Sequence, residues 1–473
     1  MLFNSYEFIF VFLPFTVISY FFIARRFCNY FAKLFLIFMS VAFYSYWDIT
    51  NLPILLSSIS VNFIVGEKIK RDKQKKWLFV GVCFNLALLA YFKYTNFLIE
   101  NLCMISGMKL SYLDIVLPLG ISFFSFTQTA YLVDSYRGET EDYTISDYLL
   151  FVTIFPHLIA GPIIYHKDMI PQFEDRKRYI FNYENFSKGL VWFTIGLFKK
   201  VIIADRLSLI ADLVFAHTDS LSFLDAWGGS LAYTLQLFFD FSGYSEMAIG
   251  IALMFNYNLP INFNAPYKAL SIIDFWKKWH ITLSTFLKNY LYIPLGGNRN
   301  GHQLRNVFLT MLLGGLWHGA GWTFIMWGGL HGLYICVNHL WRMTKIVLPN
   351  FVCWILTFIS VNIAWIFFRV DEVDKAFSFL HAMVDIGSFS YPYNHTVARL
   401  LPDLEFTTNF LVSSNDILRI LAFFVCSVAY YSTEDWITRK FKPSIMIAVI
   451  LACGFVFSVS QLNKLTTFLY FQF

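Results

Sequence analysis

The histidine of the sequence GLWHGAGW (residues 315–322) is the side chain of this chain best suited to proton transfer. An imidazole titrates near neutral pH, so a neutral His318 could accept a proton from an attacking hydroxyl and act as a general base. Trp317 directly precedes it as a supporting residue, and Gly319 and Gly321 would allow a turn. A purely structural role explains the same residues equally well.

The depth of His318 follows from the length of the apolar run before it. Arg305 to His318 is 14 residues, which makes about 21 Å of helix. The hydrocarbon layer of a bilayer is about 30 Å thick, so a helix that starts at one face ends with His318 inside the membrane. Irregular backbone at that depth is tolerated only against protein or a water-filled cavity. We therefore expect His318 to line a cavity.

A second histidine, His280, ends the sequence DFWKKWH. Asp274 lies six residues before it, which is not a same-face spacing on a helix, so no direct pair is predicted. A histidine at an aromatic interface is more often a satisfied hydrogen-bonding group than a catalyst. Asp274 is therefore given a supporting role, and His331 and His339, which lack matching partners, are interpreted as packing histidines.

Two further polar residues interrupt the apolar sequence LQLFFDFSGYSEMAIGIAL. Gln236 and Asp240 are four residues apart and so share one face of a helix. Ionisable groups inside a membrane usually line a cavity or pair with each other, so the two residues are candidates for a tunnel wall or a mutual hydrogen bond. Polar packing between helices is an equally good explanation.

Residues 265–305 mix aromatic and basic side chains, as do helices that lie at a membrane interface. Anchoring of a cytoplasmic loop explains this mixture and is the commoner case. The alternative is a platform for an anionic cytosolic ligand, either a nucleotide thioester or an acidic carrier protein. In that case Lys277, Lys278 and Arg299 could contact phosphates.

The last residues of the sequence, TTFLYFQF, are unusually aromatic for a segment expected outside the membrane. An aromatic belt at the membrane surface accounts for them. The functional alternative is that this segment enters an external cavity and presents the phenol of Tyr470 as an acyl acceptor.

Composition assigns these residues to a membrane. Apolar residues make up 57% of the 473 residues, charged residues 14% and aromatic residues 20%, a balance that excludes an ordinary water-soluble protein. The net charge of +5 is small, and nucleic-acid binding is not implied. Seven cysteines are scattered without paired spacing, so neither a disulfide framework nor a metal site is predicted.

The elements that must position the candidate residues are membrane helices. We expect an all-α polytopic protein with about eleven to thirteen transmembrane or re-entrant helices in a single membrane domain, residues 1–473. The first run, Phe8 to Ile23, lacks the features of a cleaved signal and is predicted to be retained. The predicted spans are 7–24, 31–47, 51–65, 77–94, 113–134, 148–164, 188–204, 227–255 as one or two pieces, 304–318, 321–341, 350–370, 417–433 and 443–461.

The basic residues of the connections predict the orientation. Loop 66–76 carries six Lys or Arg and Arg25 and Arg26 lie two spans earlier, so both connections should face the cytoplasm and the N-terminus should lie outside. A basic cluster at 439–442 precedes only one further span, so the C-terminus is predicted outside as well.

Longer motifs resemble a known family. The sequences LPLGISFFSFTQTAYLVDSYRG, FPHLIAGPI, FDFSGYSEMAIGIAL, SIIDFWKKWHITLSTFLKNYLYIPLGGNR, GLWHGAGWTFIMWGGLHG and FLYFQF are similar to those of the membrane-bound O-acyltransferase (MBOAT) superfamily, in its bacterial alginate and peptidoglycan O-acetyltransferase branch. The resemblance spans nearly the whole chain. It implies a multi-helix membrane fold around a central tunnel, with His318 as the catalytic histidine and His280 in the second active-site position.

The resemblance also implies partners and a place in the cell. The acyl donor would be a cytoplasmic thioester, expected in this branch to be acetyl-CoA, with no bound cofactor. A periplasmic esterase-fold O-acetyltransferase would transfer the acetyl group to a cell-envelope glycan, and Tyr470 matches the terminal tyrosine that serves some relatives as acyl acceptor. The chain would then lie in the bacterial inner membrane, in contact with its lipids. Relatives that transfer D-alanine to teichoic acid provide an alternative activity.

A function of another class is transport of a lipid-linked sugar or an ion through the same polar cavity. Such a transporter would show ligand flux without an acyl donor and would carry related sites in both halves of the chain. The motifs are densest at 235–332, which disfavours this alternative.

Overall fold

A computed structural model describes residues 1–159, 161–388, 391–392, 406–407, 411–429, 432–440, 442–462 and 469. Helices dominate this part of the chain, because a segment inside a bilayer must satisfy its backbone hydrogen bonds internally. Two strands of two residues each, Tyr391–Pro392 and Phe406–Thr407, pair in parallel with Tyr391 opposite Phe406. The prediction of an all-α fold is confirmed in all but this minor feature.

The helices follow one another with short connections. The α-helices are Leu13–Arg26, Asn29–Ser45, Leu52–Asp72, Lys75–Leu89, Thr95–Ser106, Ile121–Arg137, Ile145–Thr153, Phe155–Leu158, His166–Glu174, Tyr183–Phe198, Asp205–Phe215, Phe223–Met254, Ile272–Trp276, Ile281–Leu287, Gln303–His318, Trp322–Met343, Asn350–Arg369, Val373–Val384, Ser414–Ala429, Thr433–Asp435 and Ile445–Ser460. The π-helical turns are Phe8–Phe12, Ala90–Tyr94, Lys199–Ala204, Lys288–Tyr292 and Trp436–Lys440. The 3₁₀ turns are Ile49–Asn51, Arg176–Tyr179, Pro266–Lys268, Arg299–Gly301 and Ile386–Ser388.

Within the described residues, five helices are long and apolar enough to cross a membrane by length and composition. They are Phe8–Arg26, Ile49–Asp72, Lys75–Ser106, Phe223–Met254 and Asn350–Arg369, and a bent pair that begins at Ser414 makes up to six. Asn29–Ser45 and Ile445–Ser460 are shorter apolar helices. The larger number of membrane segments predicted from the sequence therefore includes helices too short to cross alone.

Side chains on the outer surface agree with a lipid environment. Phe10, Phe15 and Phe22 lie on the span Phe8–Arg26 and each exposes more than half of its surface. Exposed apolar surface on this scale is costly in water and favourable against acyl chains.

Helix ends agree with the prediction near the candidate site and differ elsewhere. The run 304–318 forms the helix Gln303–His318, and the run 227–255 forms one continuous helix of 32 residues, Phe223–Met254, rather than two pieces. The run 113–134 becomes helical only at Ile121, directly after Gly120, whose φ of +73° is a left-handed conformation.

The chain divides into two compact units, each made of separate stretches. The first comprises Met1–Leu197, Tyr244–Ile261 and Pro443–Leu465, and the second comprises Phe198–Gly243, Asn262–Lys442 and Thr466–Phe473. The single membrane domain and the central tunnel stay predictions.

Buried amides join helices within the first unit. Asn62 and Asn85 exchange two hydrogen bonds, of 3.1 and 2.7 Å. Gln128 donates to the Ser58 hydroxyl at 2.9 Å and accepts from the Tyr148 hydroxyl at 3.2 Å. Such bonds hold helices together where burial of apolar surface cannot, because lipid is as apolar as the core.

Aromatic side chains form the core of the second unit around the candidate site. The rings of Trp279 and Trp365 lie 4.9 Å apart, and those of Trp327 and Trp365 lie 5.7 Å apart. Trp327 and Trp365 are almost completely buried. Large rings with few rotatable bonds make a stiff wall, which suits a site that must hold side chains in fixed positions.

Candidate active site

His318 is the last residue of the helix Gln303–His318, and it is buried. Three rings surround its imidazole edge to face: Trp317 at 4.8 Å, Trp327 at 5.0 Å and Phe368 at 5.3 Å between ring centroids. A helix C-terminus carries a partial negative charge, which favours a positive charge on a side chain of the last turn. The imidazole is thus fixed in orientation and placed where the helix helps it to hold a proton.

Two glycines set the approach of the helices on either side of His318. A Cβ atom at Gly315 would lie 2.3 Å from the carbonyl oxygen of Phe324, and one at Gly328 would lie 2.4 Å from that of Met311. Only glycine permits this contact between Gln303–His318 and Trp322–Met343.

The glycines that follow His318 differ in role from the expected turn. The backbone of Gly319 (φ −156°, ψ 150°) and Gly321 (φ −167°, ψ 153°) is extended, so neither residue needs an unusual conformation. A Cβ at Gly319 would lie 2.1 Å from the ring of Phe324, whereas one at Gly321 would make only ordinary contacts. The chain passes between the two helices through residues 319–321, where the turn was predicted, but the turn does not depend on a left-handed glycine. The Phe324 ring leaves little space for a side chain at Gly319.

His280 occupies a strained position. Its φ of +42° and ψ of 55° place it in the left-handed region at the start of the helix Ile281–Leu287, and its side chain is fully buried. A residue other than glycine in this conformation costs energy, and such positions concentrate at functional sites. The ring of Phe241 packs edge-on against the imidazole at 4.7 Å.

Hydrogen bonds determine the tautomer of His280. Oδ1 of Asn262 accepts from the backbone N–H of Thr282 at 3.3 Å and from the Thr282 hydroxyl at 2.7 Å. A backbone N–H can only donate, so the Asn262 atom facing it must be the oxygen. The Nδ1 of His280, 3.3 Å from the same oxygen, must then carry the proton. A neutral His280 therefore presents a lone pair at Nε2.

His331, interpreted from the sequence as a packing residue, shares a wall with His318. The ring of Trp327 lies 4.9 Å from His331 and 5.0 Å from His318. Trp276 donates its indole N–H to Nδ1 of His331 at 3.3 Å, and Nε2 of His331 has no hydrogen-bond partner within the described part of the chain. The sequence held no signal for this arrangement, because 55 residues separate Trp276 from His331.

The predicted basic platform is only partly available. Lys278 pairs with Asp274 at 2.9 Å, one helical turn away, which agrees with the absence of a predicted pair between Asp274 and His280. Lys277 and Arg299 are exposed. Two of the three basic candidates are therefore accessible to an anionic ligand, whereas Lys278 would have to give up its ion pair with Asp274.

Asp240 has a different partner from the one its spacing suggests. Lys200 Nζ lies 2.5 Å from Asp240 Oδ1 and 2.8 Å from Asp205 Oδ1. Gln236 is buried on the same helix, and no hydrogen bond joins it to Asp240 among the described residues. The sequence contained no signal for this pair, because 40 residues separate Lys200 from Asp240 and only helix packing brings them together.

Tyr470 lies outside the described residues, but its neighbour Leu469 is described. Leu469 is buried in the second unit, and its backbone N–H donates to Oδ2 of Asp240 at 3.1 Å. The described residues contain no group of three or more His, Cys, Asp or Glu side chains that could hold a metal ion.

Comparisons with known proteins agree with the resemblance. Residues 116–371 match the membrane-bound O-acyltransferase family, MBOAT. A peptidoglycan O-acetyltransferase of Helicobacter pylori is 41% identical, over 100% of this chain and 98% of that protein. A probable alginate O-acetylase, AlgI, of Pseudomonas aeruginosa is 41% identical over 82% of this chain and 76% of that protein. A teichoic acid D-alanyltransferase of Streptococcus thermophilus is 26% identical over 48% of this chain and 58% of that protein.

The matched range contains His280, His318 and the Lys200–Asp240 pair, and the relatives are acyl-transferring enzymes. The all-α multi-pass fold agrees with this family. The predictions of the family, of the multi-pass fold and of an O-acyltransferase activity are confirmed: the chain belongs to the membrane-bound O-acyltransferase family.

Proposed function

We propose that this chain takes acetyl groups from a cytoplasmic thioester and passes them across the inner membrane for O-acetylation of a cell-envelope polysaccharide. The observation that carries the proposal is the buried His318 at the end of its helix, enclosed by aromatic rings and followed by the glycine contact that fixes its position. The match to a peptidoglycan O-acetyltransferase over the whole chain supports acetyl as the acyl group.

His318 acts as the general base in this proposal. The acceptor oxygen attacks the thioester carbonyl while His318 removes its proton, and an O–C bond forms. The C–S bond then breaks, and the proton passes from His318 to the leaving thiolate. The helix C-terminus stabilises the imidazolium between these steps.

His280 orients the acceptor hydroxyl and does not polarise the thioester carbonyl. With Nδ1 donating to Asn262, a neutral His280 has only a lone pair to offer at Nε2, so it cannot donate to the thioester carbonyl. It can accept a hydrogen bond from the acceptor hydroxyl and direct that oxygen at the carbonyl.

Acetyl-CoA is the donor that fits the exposed basic residues. Lys277 and Arg299 are exposed and would contact the phosphates of the coenzyme, while Lys278 is engaged with Asp274. The donor is a substrate in this scheme, and no bound cofactor is required.

The acceptor inside the chain is Tyr470. A phenol ester is more activated than an alkyl ester, so an acetyl group on Tyr470 can be passed onward. A periplasmic esterase-fold O-acetyltransferase would receive it and acetylate the glycan, with both ends of this chain on the periplasmic side. Peptidoglycan is the favoured glycan because that match covers the whole chain, whereas the alginate match covers 82% of it.

Transfer of D-alanine to teichoic acid is the second candidate activity. The relative that carries it is only 26% identical over about half of this chain, so acetyl transfer is favoured. Membership of an acyltransferase family also disfavours the transporter alternative, because an acyltransferase requires an acyl donor and the proposed transporter does not.

The test is intact mass spectrometry of the purified protein after incubation with isotopically labelled acetyl-CoA. A labelled acetyl group that peptide mapping places on Tyr470 is the expected result. D-alanyl carrier protein in place of acetyl-CoA distinguishes the second activity. A chain that gains mass only from the carrier, or from neither donor, would overturn the acetyl proposal.

A further inference from the structure

We propose that the buried pair of Lys200 and Asp240 is the docking point of the last segment of the chain, and that Asp240 is the positioning residue for Tyr470. The proposal rests on the proposed role of Tyr470 as acyl acceptor. Asp240 would be the group that holds the acceptor segment of the chain near the active site.

The charges around Lys200 explain why an additional donor is needed. One ammonium group faces two carboxylates, those of Asp205 and Asp240, and the side chains of Lys200 and Asp240 are 3% and 2% exposed. A buried carboxylate is stable only when its oxygens are paired or accept hydrogen bonds. Oδ1 of Asp240 faces Lys200, and Oδ2 is left to accept from another donor.

The backbone N–H of Leu469 is that donor. It lies 3.1 Å from Oδ2 of Asp240, and the Leu469 side chain is buried in the same apolar core as Phe238 and Phe239. A hydrogen bond to a charged group is among the stronger ones. The contact uses a main-chain atom, so it fixes the position of the segment along its length rather than selecting a particular side chain.

Tyr470 follows Leu469 by one peptide bond, so an anchor at Leu469 restricts how far the phenol can travel. The residue after Asp240 connects this anchor to the active site. Phe241 packs against the imidazole of His280 at 4.7 Å. Asp240 thus binds Leu469, and the next residue of the same helix, Phe241, packs against the side chain of His280.

Asp240 does not enter the acyl-transfer chemistry in this proposal. It acts by holding Leu469, and so by raising the fraction of time that Tyr470 spends near the site. Removal of the anchor should therefore reduce acetylation of Tyr470 without changing the affinity for acetyl-CoA.

The experiment measures release of the last residues by carboxypeptidase from the purified full chain, followed by intact mass spectrometry. Asp240→Ala removes the carboxylate that accepts the hydrogen bond. Leu469→Pro removes the backbone N–H that donates it. In both variants, carboxypeptidase is expected to release the last residues about tenfold faster than from the unmodified chain. A factor of this size is the expected effect of losing one hydrogen bond to a charged group.

Two matched variants serve as controls. Leu469→Ala keeps the backbone N–H and should be released much more slowly than Leu469→Pro. Asp225→Asn alters a carboxylate on the same helix that accepts the backbone N–H groups of Leu411 and Val412 instead, and it should leave release unchanged.

The second readout is labelled acetyl on Tyr470 together with acetyl-CoA binding. Asp240→Ala should lose about tenfold in acetylation and keep its affinity for the donor. Unchanged release in both Asp240→Ala and Leu469→Pro would overturn the docking proposal even if Tyr470 is acetylated. Faster release in a chain whose Tyr470 is never acetylated would uphold docking and refute the acceptor role, so the two failures are distinct.

Discussion

The Nδ1 of His280 donates a hydrogen bond to Oδ1 of Asn262 across 3.3 Å, and this bond leaves the imidazole with its lone pair at Nε2. Asn262 is itself held by the backbone and hydroxyl of Thr282, so the second histidine takes its tautomer from a turn of backbone rather than from another charge. His280 thus combines a left-handed backbone conformation with a proton fixed on Nδ1.

Asn262→Ala should therefore reduce acetyl transfer by about tenfold, the effect of one buried hydrogen bond, because the tautomer of His280 is no longer set. The measurement is the rate of transfer from labelled acetyl-CoA in purified protein. Asn362→Ala is the control, since Asn362 is an equally buried amide that joins Ser230 and Thr234. Equal rates for the two variants would remove His280 from the mechanism.

His318→Ala should lower acetyl transfer by about two to four orders of magnitude, the usual contribution of a general base. Yield and gel-filtration profile in detergent report whether the variant inserts and folds. His339→Ala provides a histidine control on the next helix. Activity retained in well-folded His318→Ala protein would refute the catalytic assignment.

Neighbouring glycines should respond to alanine with opposite signs. Gly328→Ala places a Cβ 2.4 Å from the carbonyl oxygen of Met311 and should cost about 1–3 kcal/mol by overpacking. Gly329→Ala meets its nearest neighbour at 3.6 Å and should stabilise the helix by about 0.5–1 kcal/mol. Thermal unfolding of the purified variants measures both changes. A similar melting temperature for the two would contradict the close helix contact.

Lys277→Ala and Arg299→Ala should each raise the KM for acetyl-CoA by about two- to fivefold, as expected for exposed charges that contact phosphate. The effect should weaken with added salt, since such contacts are screened. Lys375→Ala, at a partly exposed lysine that is paired with Asp371 and lies outside the basic segment, should not change KM. If KM is unaltered throughout, the basic segment is a membrane anchor.

Tyr470→Phe removes one oxygen atom and should abolish the labelled acetyl adduct while acetyl-CoA binding persists. Glycan acetylation in cells that carry only this variant should fall to background, as judged by mass spectrometry of digested cell wall. Normal glycan acetylation would reduce the terminal aromatic residues to a membrane anchor.

The sequence predicted what depends on local pattern. The helix that ends at His318 was expected from the length of one apolar run, and the separation of Asp274 from His280 was expected from spacing; the structure agrees in both cases. It could not predict contacts between distant elements. Lys200 meets Asp240 across 40 residues, and Trp276 meets His331 across 55, because helix packing rather than periodicity creates these pairs. The left-handed backbone of His280 likewise has no signature in its residue type.

In the π-helical turn Lys199–Ala204, the number of residues matters more for the structure than the identity of most of them. Its i to i+5 bond, from the Asp205 N–H to the Lys200 carbonyl, places two residues five apart on one side, whereas an α-helix brings together residues three or four apart. The ion pair between Lys200 and Asp205 depends on that extra residue. A deletion of one residue here would restore an α-helical turn and separate the pair, while many substitutions would leave it intact. Insertions and deletions should therefore be rarer in this turn than amino-acid replacements among functional homologues.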